Sequence, residues 1–509
     1  MSGKKHDNEP RKPAGWNRQQ AQHLLSRAGF GGSPAGVEAL RKLGREGAVD
    51  HLLRYPQTAR SEARPTWVRE PWVDTEARLP GLSREEQTKR HVATRIRYRQ
   101  EMDDLRAWWL KRMVKTEHPL QEKLVLFWHW HFPTAQAKVF ISQAHFVQNE
   151  LYRTHAAGNF RTLVRAVTLD PGMLLYLDGN TNTAGRPNEN YARELMELFT
   201  LGIGSYTEPD VREGARALSG WKLEGLTPRF QSAEHDAGDK TFLGRRGALT
   251  WEDGCDACLA HAASAPFLCG KLVRYFGVAD PQGTLTARLA HTLQSENWEL
   301  TPVLRELLLS PEFYSEETCG SQIKCPVQLL VGALRALEVD FTPTLPLVQA
   351  LNLMGQDLFN PPNVKGWLTG RDMITTGTLM ARYHLADLLV DGRIPDGVGP
   401  VAPERQRVMR PNEATLRTGA VNALLAQGQE AEARDQHVKV RFDPAGLFPG
   451  GIPEQPERVV GALTRRLLVQ PASPPLRKAL VAACSAAPAE QRPAVVTRLL
   501  LASPEFQVH

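Results

Sequence analysis

Apolar residues recur at every third or fourth position through almost all of the first 220 residues, and this spacing constrains the fold more than any other feature. REEQTKRHVATRIRYRQEMDDLRAWWLKRMVK (84–115) and LQEKLVLFWHWHF (120–132) predict two long helices, and AKVFISQAHFVQNELYR and NFRTLVRAVTLDPGMLLYLDG continue the pattern. Ahead of them, NRQQAQHLLSRAGFGG predicts a helix that starts from Asn17 as N-cap and ends at Gly29. The glycines that follow a helix in this way have the wrong polarity for a dinucleotide loop, which needs a strand before it. The texture changes at Trp221. WKLEGLTPRFQ and KTFLGRRGALTW are short, contain glycine, and predict two strands flanking the loop SAEHDAGD. Helical spacing returns at CLAHAASAPFLCGKLVRYF and persists through LTPVLRELLLSPEFY and CPVQLLVGALRALEV. The expected class is mainly α and multi-helical, with a small β-hairpin insertion near residues 221–251.

A chain of 509 residues exceeds one ordinary core. The pattern divides it into a polar N-terminal arm (1–16), a main helical domain with the hairpin insertion (17–392), a linker and irregular segment (393–456) and a C-terminal helical segment (457–509). The stretch LLLSPEF at 307–313 is echoed by LLLASPEF at 499–506, so duplicated helical units are an open possibility. With 62 basic and 56 acidic residues the net charge is +6, a mild bias over this length, and no block of five Lys or Arg points to nucleic acid. No window reaches the apolar length of a membrane span, and the polar N-terminus does not read as a secretory signal, so the expected location is the cytoplasm. Six cysteines do not form a disulfide framework, and Cys255 and Cys258 lack the matching second pair that structural zinc requires.

Three polar clusters carry candidate chemistry. In NENYARELMELFTLG (188–202), helical spacing of 100° per residue puts Tyr191, Leu195, Met196, Leu198 and Phe199 on one face and Arg193, Glu197 and Thr200 on the other. Glu194 falls at the border, half buried and in need of a partner, whereas Glu197 reads as a solvated partner of Arg193. In FWHWHF (127–132), His129 and His131 lie among aromatics, with Pro133 marking a helix end; they read either as satisfied core histidines or as metal ligands. In EHDAGDK (234–240), His235, Asp236 and Lys240 sit on a loop between strands, where sites tend to lie, although an ordinary polar turn accounts for them equally well. No GxSxG or P-loop occurs.

Taken together, HLLSRAGFG, LVLFWHWHF, NENYARELMELFTLGIGSYTEPDVREGARALSGW, HDAGDKTFLG, KLVRYF, LLLSPEF and MGQDLFNPPNVKGW (354–367) resemble, in order, a bacterial family known only as domain of unknown function 1800. The resemblance implies a mostly helical protein with no established activity. It also implies relatives that are often exported and often encoded beside a sulfatase-like partner protein. All three polar clusters fall inside the matching segments. This favours one cleft, with Glu194, His235, Asp236 and Lys240 as catalytic candidates and His129, His131, Glu194, His235 and Asp236 as ligands of a divalent metal.

The expected function is that of a metal-dependent hydrolase acting on an anionic or polymeric substrate, with Lys240 and Arg193 holding the anion. The other reading is a non-catalytic binding or assembly protein that works with a partner protein. Far-ultraviolet circular dichroism of the purified chain is expected to be dominated by helix; a sheet-dominated spectrum would overturn the fold assignment.

Overall fold

A computed structural model describes residues 15–55, 64–70, 81–341, 345–392, 440–441, 443 and 446–509. The predicted N-terminal arm, part of the 56–80 loop and most of the 393–456 linker lie outside these residues.

Helices form where the spacing predicts them, and their ends follow local chemistry. The first runs Arg18–Gly29, capped by Asn17, whose side chain accepts from the Gln20 amide. The longest, Arg84–Lys115, opens on a capping box: Ser83 and Glu86 bond each other's backbone amides reciprocally. Pro119 begins the next helix, Pro119–His131, in the one position where its missing N–H costs nothing. Ser142–Thr154 packs against both. Later helices include Trp251–Ala260, Ser264–Tyr275, Pro326–Leu337 and Thr376–Asp391, with Pro456–Leu467, Pro474–Ala486 and Arg492–Ala502 at the C-terminal end. One apolar core runs from Ala21 to Phe506 and includes side chains of the C-terminal helices.

The two glycine-bearing segments do not pair with each other across the intervening loop, as two strands would. Each folds back on itself. Trp221–Glu224 pairs antiparallel with Thr227–Phe230, and Lys240–Phe242 with Arg245–Gly247. The left-handed backbone at Gly225 in the first and at Leu243 and Gly244 in the second makes the tight turns. The SPEF echo also has a local explanation. Ser310 donates to the Leu307 carbonyl and accepts from the Phe313 amide, and Ser503 repeats both bonds with Leu500 and Phe506. Each serine closes a helix and turns a phenylalanine into the core.

The centre of the bundle is polar. Glu122 has no exposed surface and takes hydrogen bonds from Arg112 at 2.6 Å, Arg153 at 2.7 and 2.9 Å and the Trp109 indole at 2.9 Å. These donors come from the Arg84–Lys115 and Ser142–Thr154 helices, so one carboxylate ties three helices together. Burial pushes the Glu122 carboxyl up, but the charges and hydrogen bonds of Arg153 and then Arg112 outweigh it and hold the group down at about 2. Among the described residues, no helix is long and apolar enough to cross a membrane.

Glu122→Gln removes the carboxylate shared by two buried guanidinium groups and is expected to cost about 3–5 kcal/mol in denaturant unfolding. Because the folded pKa lies below the unfolded value of 4.5, the contribution of Glu122 is full above that pH. It is lost as pH falls from there towards about 2, a loss the Gln variant should not share.

Candidate acid–base site

The helix that begins at Asn190 keeps α geometry only to Glu194; Leu195–Thr200 is a π-helical turn. The Leu201 amide reaches the Met196 carbonyl at 2.8 Å, five residues back, and the Thr200 hydroxyl bonds the Leu195 carbonyl at 2.5 Å. Widening the turn re-aims the side chains that follow it. Thr200, expected on the polar face, is fully buried, and Leu198, expected in the core, is partly exposed. Two side chains from elsewhere, one buried and one half-buried, support the wide turn. The Lys271 ammonium donates to the Leu198 carbonyl at 3.1 Å, and His131 Nε2 bonds the Phe199 carbonyl at 3.0 Å.

Glu194 stands half buried at the start of this turn. Among the described residues, no hydrogen bond or ion pair engages its carboxylate. Burial, and then the neighbouring Glu197, push its pKa up to about 7, against the opposing charges of Arg193 and Lys365. Glu197 differs in that it accepts a 2.6 Å hydrogen bond from the Tyr206 hydroxyl, whose own pKa burial and this bond raise to about 12. The expected Glu197–Arg193 pair does not form, because Arg193 holds Glu208 and Glu189 instead. The turn thus carries one carboxyl that keeps its proton near neutral pH beside a second carboxylate held by a tyrosine hydroxyl.

Sequence reasoning did not single out the groups around this pair. Lys365 belongs to the NPPNVKGW loop, which is pinned beside the FWHWHF helix end. The Trp130 indole donates to the Trp367 carbonyl at 3.1 Å and the Trp367 indole to the Asp357 carbonyl at 3.0 Å, while Arg106 grips Asp357. Gly366 has φ +83°, and a Cβ there would sit 2.6 Å from the Trp130 carbonyl oxygen, so the approach requires glycine. Asp178 receives Lys138 at 2.9 Å and Asn190 at 3.0 Å, and Tyr176, whose hydroxyl titration Glu194 influences, lies under Lys138. The signal for Lys365 and Tyr206 lay in the motif segments VKGW and SYTEP; no spacing rule could connect them to Glu194.

The other expected site residues are engaged separately. The His129 ring is buried and Nε2 pairs with the Asn149 amide at 3.0 Å; burial, His145 and Arg153 hold it neutral. His131 is likewise neutral from burial and Lys271, with Nδ1 facing no polar partner among the described residues. His235 Nδ1 lies 3.0 Å from the Ser219 carbonyl. Both oxygens of Asp236 are taken by Arg216, at 2.7 and 3.1 Å, and this bond above all lowers its pKa. Lys240 is buried and donates to the Asp236 and Gly238 carbonyls, so it fastens its own loop. No hydrogen bond joins any of the three histidines to Glu194. Among the described residues, no three His, Cys, Asp or Glu side chains gather as metal ligands. Cys255 and Cys258 are buried free thiols.

A family model described as Protein of unknown function (DUF1800) matches residues 23–508. Neither the curated proteins nor the solved structures gave a match.

The raised Glu194 pKa has a consequence for stability. Its carboxyl is protonated in the fold up to about pH 7, whereas in the unfolded chain it ionises near 4.5. The fold is therefore unpenalised below that lower value and bears the full cost of the charge above pH 7. Glu194→Gln is expected to raise the melting temperature at pH 8 and leave it nearly unchanged at pH 4. A shift equal at both pH values would contradict the assignment.

Proposed function

The chain belongs to the family of proteins of unknown function DUF1800, and from the Glu194 geometry we propose that it is a hydrolase using general acid–base chemistry on an anionic substrate. The carrying observation is Glu194 itself, half buried and free of hydrogen-bonding and ion-pair partners among the described residues, beside a second carboxylate that Tyr206 holds. A carboxyl that keeps its proton at neutral pH can donate it to a departing oxygen, and the resulting carboxylate can then accept one from water. Glu197 is a positioning residue, because its negative charge keeps the proton on Glu194. Lys365 has no ion-pair partner among the described residues and stands ready to receive an anionic group of the substrate. His129, His131, His235, Asp236 and Lys240 support the fold in this reading. They are engaged in separate contacts, and the reaction proposed is not routed through a metal at that set.

The test is a panel of carboxylic, phosphate and sulfate esters and glycosides with alkoxide leaving groups, whose departure needs a proton, read by product mass. Turnover of an anionic member is expected to fall as pH rises through about 7. Glu194→Gln should lose at least about 100-fold in kcat/KM. Glu197→Gln should keep turnover but move the pH limb downward. Lys365→Met should raise KM more than it lowers kcat. Full activity in Glu194→Gln would refute the role assigned to this carboxylate. Tight binding without turnover across the panel would favour the non-catalytic binding or assembly reading, with a sulfatase-like protein as the partner to try first.

A further inference from the structure

Away from this site, the first helix and the C-terminal helices enclose a groove of about 380 Å³. Three arginines line it: Arg18 at the start of Arg18–Gly29, Arg465 near the end of Pro456–Leu467, and Arg477 in the first turn of Pro474–Ala486. We propose that this groove binds a small oxyanion ester, a phosphorylated or sulfated molecule whose charged group sits among the three guanidinium groups. This inference is independent of the Glu194 reading.

Many arginines of this protein carry carboxylate partners, among them Arg41 with Glu38, Arg288 with Glu306 and Glu312, Arg305 with Asp50, and Arg498 with Asp391. Among the described residues, Arg18, Arg465 and Arg477 have no such ion pair. A hydrogen bond runs from the Arg18 guanidinium to the Arg465 backbone carbonyl, at 3.5 Å, and ties the first helix to Pro456–Leu467. Arg18 and Arg477 also lie in the first turns of their helices, neither of which contains an acid there. A cation at that end opposes the helix dipole. An oxyanion in the groove offsets both placements, and guanidinium forks match tetrahedral oxyanions in geometry.

The groove also has a built interior. The Gln19 amide donates to Gln470 at 2.7 Å and the Gln22 amide to the Leu468 carbonyl at 2.9 Å, fixing one wall. Leu468 and Ala472 supply apolar surface for the body of an ester. The volume falls in the range of small-molecule sites, large enough for a sugar phosphate and small for a folded partner.

The experiment uses the full-length protein with sodium phosphate, sodium sulfate and glucose 6-phosphate as probes, read by isothermal calorimetry and melting temperature. Sodium chloride at matched ionic strength and plain glucose are the controls. Saturable binding of at least one oxyanion is expected, with glucose 6-phosphate tighter than phosphate if the ester body occupies the groove; equal affinities assign the site to free oxyanions. Arg18→Gln with Arg477→Gln should weaken binding at least about tenfold per arginine removed. Without ligand, that variant should melt no lower than the parent, because two cations that oppose helix dipoles have been removed. Arg246→Gln, on the second hairpin, should change nothing. A response matched by chloride, or undiminished binding in the double variant, overturns the proposal.

Discussion

A single buried carboxylate organises the helical bundle. Glu122 lies at the crossing of three helices and is surrounded by the only groups that make its charge tolerable there: two guanidinium groups and an indole N–H. A buried ion of this kind contributes little net stability, since desolvation cancels most of the attraction, but a misplaced partner is very costly. The arrangement therefore acts on geometry. It fixes how Arg84–Lys115, Pro119–His131 and Ser142–Thr154 meet, and through Arg153 and Asn149 it sets His129 in its aromatic surroundings.

That placement continues into the candidate site. The same Pro119–His131 helix that carries Glu122 near its start presents His131 and Trp130 at its end. His131 bonds the Phe199 carbonyl and Trp130 the Trp367 carbonyl, so one helix end supports both the π-helical turn and the loop bearing Lys365. A π turn leaves backbone carbonyls that regular spacing would satisfy, and Lys271 and His131 take two of them. Lys271 does so from a half-buried position beside Trp130 and Phe267, where desolvation and then Arg274 lower its pKa to about 7. The backbone of the turn that carries the two carboxylates is thus held by side chains from elsewhere in the chain.

Two of the three clusters picked out by chemistry make structural contacts of different kinds. His131 and His129 brace backbone and aromatic packing. Asp236, Arg216 and Lys240 lock the loop between the two hairpins, and Gly220 lets His235 approach to a distance that a Cβ would block. Glu194 keeps the place at the polar–apolar border that helical spacing gave it, because it precedes the point where the helix widens. Glu197 and Thr200 come after that point, and the same angular rule misplaces both.

Local physics written along the chain determined the helices: apolar spacing, Asn17 and Ser83 as caps, Pro119 as a first-turn residue, and glycines where the hairpins turn. Those signals act over a few residues, so they are readable without knowing the fold. The half-buried position of Glu194 was legible for the same reason. What Glu194 faces was not. The π turn depends on donors at positions 131 and 271, the opposing charge on position 365, and the carboxylate pairing on Tyr206. Three of these four positions lie more than 60 residues from the turn. Side-chain capping of a carbonyl, desolvation of a carboxyl and close approach through a glycine all depend on distances of a few ångströms between such positions, and only the packed tertiary structure brings them together.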